Sequence, residues 1–88
     1  MNAPVITVYS APWCTYCQRA KELLRAKRLA YDEIDVDEAP DRRAEMIARS
    51  GRGTVPQIFV GDRLIGGCDD LYAFDRSGEL DRLIQGDG

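Results

Sequence analysis

The sequence predicts an α/β sandwich: a four-stranded mixed sheet with helices on both faces. Two observations carry this. Up to residue 50, strand-like and helix-like patterns alternate, which calls for a parallel crossover early in the chain. Beyond residue 56, two short apolar runs flank Gly61-Asp62, a two-residue hairpin signal that makes the last two strands antiparallel neighbours. The resulting order is β-α-β-α-β-β-α, followed by a short final helix. At 88 residues the chain has room for one domain, spanning 1–88, and no second.

The elements follow in order. Val5 to Tyr9 (VITVY) is a β-branched and aromatic run typical of a buried strand. From Cys14 onward the apolar residues Cys17, Ala20, Leu23 and Leu24 recur at helical spacing. Tyr31 to Val36 reads as a short strand whose interspersed acids suit a sheet edge. Pro40 and Asp41 fit the first turn of a helix that passes through Ala44, Ile47 and Ala48 and stops at Gly51. Gln57 to Val60 and Arg63 to Ile65 form the hairpin. Gly66-Gly67 ends that pattern, Leu71 and Phe74 mark a third helix, and Gly78 separates it from a last one holding Leu80, Leu83 and Ile84. There are no repeats or low-complexity segments.

Composition narrows the chemistry. The chain has 12 basic and 15 acidic residues, a net charge of -3, which argues against a nucleic-acid partner. The charge falls in blocks: Arg19 to Arg28 is mostly basic, Asp32 to Asp41 wholly acidic, and Arg42, Arg43, Arg49 and Arg52 restore positive charge before Thr54. Most of these read as solvated helix faces. Yet no acid lies between Met1 and Lys21, so nothing nearby in sequence opposes a thiolate. No segment approaches membrane-spanning length, and the N-terminus lacks the basic start and apolar stretch of a signal peptide. Three cysteines are an odd and sparse set for a disulfide framework, and two of them, Cys14 and Cys17, are too close together to brace a fold, so a reactive use is expected over a structural one. A soluble protein of a reducing cytoplasm is expected. With no histidine, a Cys–His hydrolase is excluded and tetrahedral zinc within one chain is disfavoured; no metal site is expected.

The reactive pair is Cys14-Thr15-Tyr16-Cys17, placed where the first strand gives way to the first helix. Unpaired N–H groups and the positive dipole end gather at such a point, which favours a thiolate at Cys14. Cys17, one turn deeper, can reach the same sulfur and close a disulfide. A helix end supplies at most about 2 kcal/mol, so hydrogen bonds from the Tyr16 and Cys17 N–H groups are expected to add to it.

Three motifs in order, CTYC at 14–17, Thr54-Val55-Pro56 and Gly66-Gly67-Cys68-Asp69-Asp70, carry a resemblance. Over nearly its whole length the chain resembles a small dithiol glutaredoxin of the thioredoxin superfamily. The resemblance implies a thioredoxin-like three-layer sandwich and a glutathione-dependent thiol–disulfide oxidoreductase, with glutathione as co-substrate. It implies a cis Pro56 that places the Val55 backbone beside the CxxC; the residues alone would equally suit a trans proline at a strand start. It also implies a glutathione groove between the first helix, the segment from Thr54 to Pro56 and the start of the third helix. There Val55 would pair with the cysteinyl backbone, and the N–H groups after Gly67, those of Cys68 and Asp69, would meet the γ-glutamyl carboxylate. A glycine pair leading into a helix N-terminus is independently a sound anion site. Asp69 is expected both to cap that helix and to accept from the γ-glutamyl ammonium, and Asp70 to be structural.

The chain departs from the family at one cation. Many members place a lysine three residues before the first cysteine, where this sequence has Ala11, and Arg43, at a second family position, is expected to take over the glycyl carboxylate. Tyr16 either packs on glutathione or covers the disulfide, and Pro12 and Trp13 either shape the rim or stiffen the loop. Thr15 replaces the proline of the CPYC form. In the expected reaction Cys14 attacks a glutathione mixed disulfide and a second glutathione regenerates it, or Cys17 resolves a protein mixed disulfide. The expected partners are glutathione and disulfide-bonded or glutathionylated proteins, met by a monomer. A dimer bridged by a 2Fe-2S cluster on Cys14 and glutathione is the alternative, and Cys68 reads as a small buried residue.

Overall fold

The computed structural model describes residues 4–85, so the outermost residues of the expected 1–88 domain lie outside it. Within that span the chain forms β1 (Ile6–Ser10), α1 (Thr15–Ala26), β2 (Asp32–Asp35), α2 (Pro40–Ser50), β3 (Gln57–Val60), β4 (Arg63–Gly66), α3 (Cys68–Arg76) and α4 (Glu79–Gln85). The sheet order is β2-β1-β3-β4. β1 runs parallel to β2 and antiparallel to β3, and β3 is antiparallel to β4, so the sheet is mixed as expected.

Alternation along the two central strands sorts the core into layers. Ile6 and Val8 of β1 and Ile58 and Val60 of β3 face α1, α3 and α4, packing on Ala20, Leu24, Leu71 and Leu80. Tyr9 and Phe59 point the other way, against Met46 of α2 and Val36. Burying each large apolar side chain in these layers contributes roughly 1.5–3 kcal/mol. On the α2 face, Arg49 lies over the Phe59 ring at 4.1 Å and donates to the Tyr9 hydroxyl at 2.9 Å, while that hydroxyl donates to Glu45.

The helix boundaries obey local chemistry. Pro40 stands in the first turn of α2, and Gly51, at φ +74°, closes it with its N–H on the Ile47 carbonyl at 2.8 Å. Strand limits differ from expectation by a residue or so. Val5 is left out of β1 and is 57 % exposed, although its carbonyl still accepts from Gly61 at 2.7 Å. β2 is shorter than 31–36 and lies at the sheet edge. Gly66, expected to end the strand, is the last residue of β4.

Candidate active site

The turn between β1 and α1 builds a cap out of sulfur. Cys14 adopts an extended backbone (φ −88°, ψ 111°) as the N-cap of α1, and its Sγ accepts from the Cys17 N–H at 3.1 Å. Among the described residues the expected second bond, from Tyr16 N–H, is not formed. The Cys14 N–H bonds the Ala11 carbonyl at 3.1 Å, which holds the loop tight, and the Cys14 thiol faces the Val55 carbonyl at 3.7 Å. Ala11, Cys14 and Cys17 form a small buried cluster with Val55 against it. Ala11 thus contributes packing beneath the sulfurs. All three cysteines are free thiols.

The two motif cysteines differ in environment. Cys17 is fully buried, and burial together with its contact to Cys14 pushes its thiol well above the ordinary value, against smaller opposing effects from the Ala11 backbone and the Lys21 charge. Lys21, one of a basic run expected to be solvated, is instead a feature of the site. It is buried on α1, and its Nζ lies 2.8 Å from Glu33 Oε2, which also accepts from Ser10 Oγ at 2.6 Å. The ammonium and the hydroxyl hold the Glu33 carboxyl below its usual range. The first turn of α1 carries no acid, as expected from the sequence.

Beside Cys14 runs an open groove of about 340 Å³ that brings Tyr16, Thr54, Val55, Pro56, Gly67, Cys68 and Asp69 together. The Val55–Pro56 bond is cis. Gln57 is buried under this segment and donates from Nε2 to the Thr54 carbonyl at 3.0 Å, bracing the turn. Tyr16 is 56 % exposed at the groove wall, and Trp13, 68 % exposed, stands before Cys14 with its indole N–H on Asp37.

At the far wall the capping assignment changes. The N-cap of α3 is Gly67, and the carboxylate that folds back to its N–H, at 3.0 Å, belongs to Asp70 and not to Asp69. The reason is spacing: the third helical residue is the one that returns to the N-cap in a capping box. Asp69, one residue earlier, is exposed on the groove wall, so its expected capping role is corrected. Gly66 makes the return possible. It sits at φ +120°, and a Cβ there would meet Asp70 Oδ2 at 2.3 Å. The N–H groups of Cys68 and Asp69, in the first turn, have no carbonyl one turn back to bond. Burial and the Asp69 carboxylate push the Cys68 thiol up.

The cations also sort differently from expectation. Arg43 does not line the groove; its Nη1 donates to the Gly53 carbonyl at 3.2 Å and its Nη2 pairs with Asp37 at 3.0 Å. Arg52, read from the sequence only as one of a basic block, does line it, 3.5 Å from Asp70. Its place two residues before Thr54 was the available signal. Gln57, directly after Pro56, also lines the groove and was expected only as a strand residue. Among the described residues there is no group of three or more metal-ligating side chains.

A sulfur-capped helix start next to a groove with free N–H groups on its other side is an arrangement for exchanging thiols. Known proteins resemble this chain in sequence and fold. The glutaredoxin family profile matches residues 6–65. Glutaredoxin 3 of Escherichia coli is 50% identical over 80 residues, covering 91% of this chain and 96% of its own. The solution structure of glutaredoxin from Brucella melitensis superposes with a TM-score of 0.83 at 49% identity, over 96% of this chain and 91% of that one. The crystal structure of a buckwheat glutaredoxin–glutathione complex superposes with a TM-score of 0.85 at 31% identity, over 94% of this chain and 78% of that one. Fold, motif order and extended sequence identity agree: the chain belongs to the glutaredoxin family, and its activity is that of a thiol–disulfide oxidoreductase.

Proposed function

We propose that this oxidoreductase depends on glutathione and works through Cys14 as nucleophile and Cys17 as resolving residue. The observation that carries the reading is the Cys14 cap: its sulfur already accepts an N–H at the start of α1 and faces the Val55 backbone. The N–H of Cys17 and the start of α1 both point at the sulfur that would carry the negative charge during exchange. The buckwheat relative, whose structure is that of a complex with glutathione, supports the choice of co-substrate.

In the groove, glutathione would run past Tyr16 with its cysteinyl backbone against Val55, next to Thr54 and Pro56. Its γ-glutamyl carboxylate would take the N–H groups of Cys68 and Asp69 after Gly67, an interaction worth about 0.3–1 kcal/mol at a helix N-terminus. Asp69, freed from capping, accepts from the γ-glutamyl ammonium. Arg43 takes the glycyl carboxylate, with Arg52 adding positive charge to the groove wall.

The Cys14 thiolate attacks the glutathionyl sulfur of a mixed disulfide. A sulfur–sulfur bond forms to Cys14 as the substrate's sulfur leaves as a thiolate and takes a proton. A second glutathione thiolate then attacks the glutathionyl sulfur held on Cys14, releasing glutathione disulfide and restoring the Cys14 thiolate. With a protein disulfide, Cys14 attacks one sulfur and the other leaves as a thiolate and takes a proton; Cys17, giving up its proton, then displaces the substrate sulfur from Cys14 to form a Cys14–Cys17 disulfide, which two glutathione molecules reduce to the dithiol as they become glutathione disulfide. The protein acts as a monomeric single domain in a reducing cytoplasm, and no described helix is long and apolar enough to cross a membrane. No observation at the site favours the cluster-bridged dimer.

A glutathione-coupled assay on a small glutathionyl mixed disulfide, run beside a thioredoxin-reductase-coupled assay, tests the reading. Turnover is expected in the first alone. Turnover that needs thioredoxin reductase and ignores glutathione would overturn it.

A further inference from the structure

Between Cys14 and the groove segment lies a clasp that the exchange chemistry does not explain. Asp37, in the loop between β2 and α2, takes a donor on each carboxylate oxygen: the Trp13 indole N–H on Oδ2, and Arg43 Nη2 on Oδ1 at 3.0 Å. Its backbone N–H is pinned to Asp35 Oδ1 at 2.8 Å, which fixes the loop. Arg43 reaches onward to the Gly53 carbonyl, in the stretch that leads into Thr54 and Val55. One carboxylate therefore links the residue before the nucleophile to the segment that faces it.

We infer that Asp37 is a resident carboxylate that occupies Arg43 in the free protein and competes with the glycyl carboxylate of glutathione for it, so that it sets glutathione affinity and couples binding to Trp13. The inference rests on the reading of Arg43 as the cation for that carboxylate. A guanidinium already neutralised at 3.0 Å attracts a second carboxylate less, and the incoming group meets the like charge of Asp37. The pair is open to exchange because both side chains are partly exposed, at 37 % and 41 %. The indole shares the same acceptor, so any shift of Asp37 toward or away from Arg43 alters the hydrogen bond of Trp13. Asp37 acts as a positioning residue and touches no reacting atom.

Trp13 is the single tryptophan of the chain, so its emission reports the clasp directly. The probes are S-methylglutathione, which cannot exchange, and its glycyl ethyl ester, which lacks the competing charge. In the unaltered protein the acid is expected to shift Trp13 emission and the ester to bind more weakly without that shift. Asp37→Asn keeps an acceptor for the indole but drops the charge, and should tighten the acid by about two- to five-fold, the range of one exposed ion pair, while leaving the ester unchanged. Acid affinity that is unchanged or weakened in Asp37→Asn overturns the inference. Arg43→Ala separates the layers: if it weakens the acid and erases the acid–ester difference while Asp37→Asn does not tighten, the competition falls and the Arg43 reading stands. If Arg43→Ala changes neither ligand, the Arg43 reading falls and takes the inference with it. Failure of the unaltered protein to bind the acid at all would remove both together with the glutathione groove.

Discussion

Helices α1 and α3 bring their N-termini to the same groove and finish them in opposite ways. At α1 the N-cap is a sulfur, the first turn holds no acid, and the Cys17 N–H is spent on Cys14. At α3 the N-cap is a glycine, the first turn holds Asp69 and Asp70, and Asp70 folds back to bond Gly67. Both ends offer the same partial positive charge. What differs is the occupant. At α1 nothing competes with the sulfur, so the field falls on Cys14, the nucleophile proposed above. At α3 the carboxylate of Asp70 is drawn back onto the N-cap, which keeps it off the N–H groups of Cys68 and Asp69. In the proposed function one terminus activates and the other receives.

The largest test of this contrast is at α1 itself. Cys14→Ser should abolish all exchange activity, whereas Cys17→Ser should still reduce glutathione mixed disulfides, as followed in the glutathione-coupled assay; equal loss in both would end the division of labour. At α3 the corresponding break is Gly66→Ala. The added Cβ strikes Asp70 Oδ2 and the residue must hold φ +120°, so stability should fall by on the order of 1–3 kcal/mol in urea unfolding. Asp70→Ala removes the cap together with the exposed pair to Arg52 and should cost about 1 kcal/mol. If Gly66→Ala costs less than Asp70→Ala, the glycine is not there to admit the carboxylate. The finest test makes α1 resemble α3. Thr15→Glu sets an acid in the first turn beside the sulfur, and iodoacetamide alkylation of Cys14 at neutral pH should slow by about two- to five-fold, the scale of one charge at a helix end. An unchanged rate would show that the missing acid is of no account there.

The architecture was readable because each signal was local. The Gly61-Asp62 turn, Pro40 with Gly51, and the β-branched runs each declare their structure within a few residues, and the elements appear at those places. The strand limits at Val5 and Tyr31 were missed because ladder pairing, set by the partner strand, decides where a strand begins. The site divided in the same way. Cys14, Cys17, Thr54, Val55, Pro56, Gly67, Cys68 and Asp69 lie in short motifs and do converge. Four arginines between 42 and 52 look alike in a sequence, and only the path of the chain from α2 into the Thr54 segment puts Arg52 on the groove and Arg43 on Asp37. Lys21 was hidden for the reverse reason: it belongs to a basic run that reads as solvated, yet a carboxylate on the neighbouring edge strand lets it be buried.

The depth of one sulfur has a consequence for timing. Cys17 lies wholly out of water, and burial keeps it protonated, while a thiol attacks only as its anion. In the cycle proposed above, a glutathionyl group on Cys14 is therefore not expelled at once by its neighbour. Attack by Cys17 is slowed, and a thiol from solution, ionised to the few per cent normal at neutral pH, competes with it. Burial of Cys17 thus works as a delay, biasing each intermediate toward exchange with an external thiol over internal closure. A change that let water reach Cys17 would shorten that delay and turn the same fold toward a two-cysteine reductase, with the nucleophile untouched.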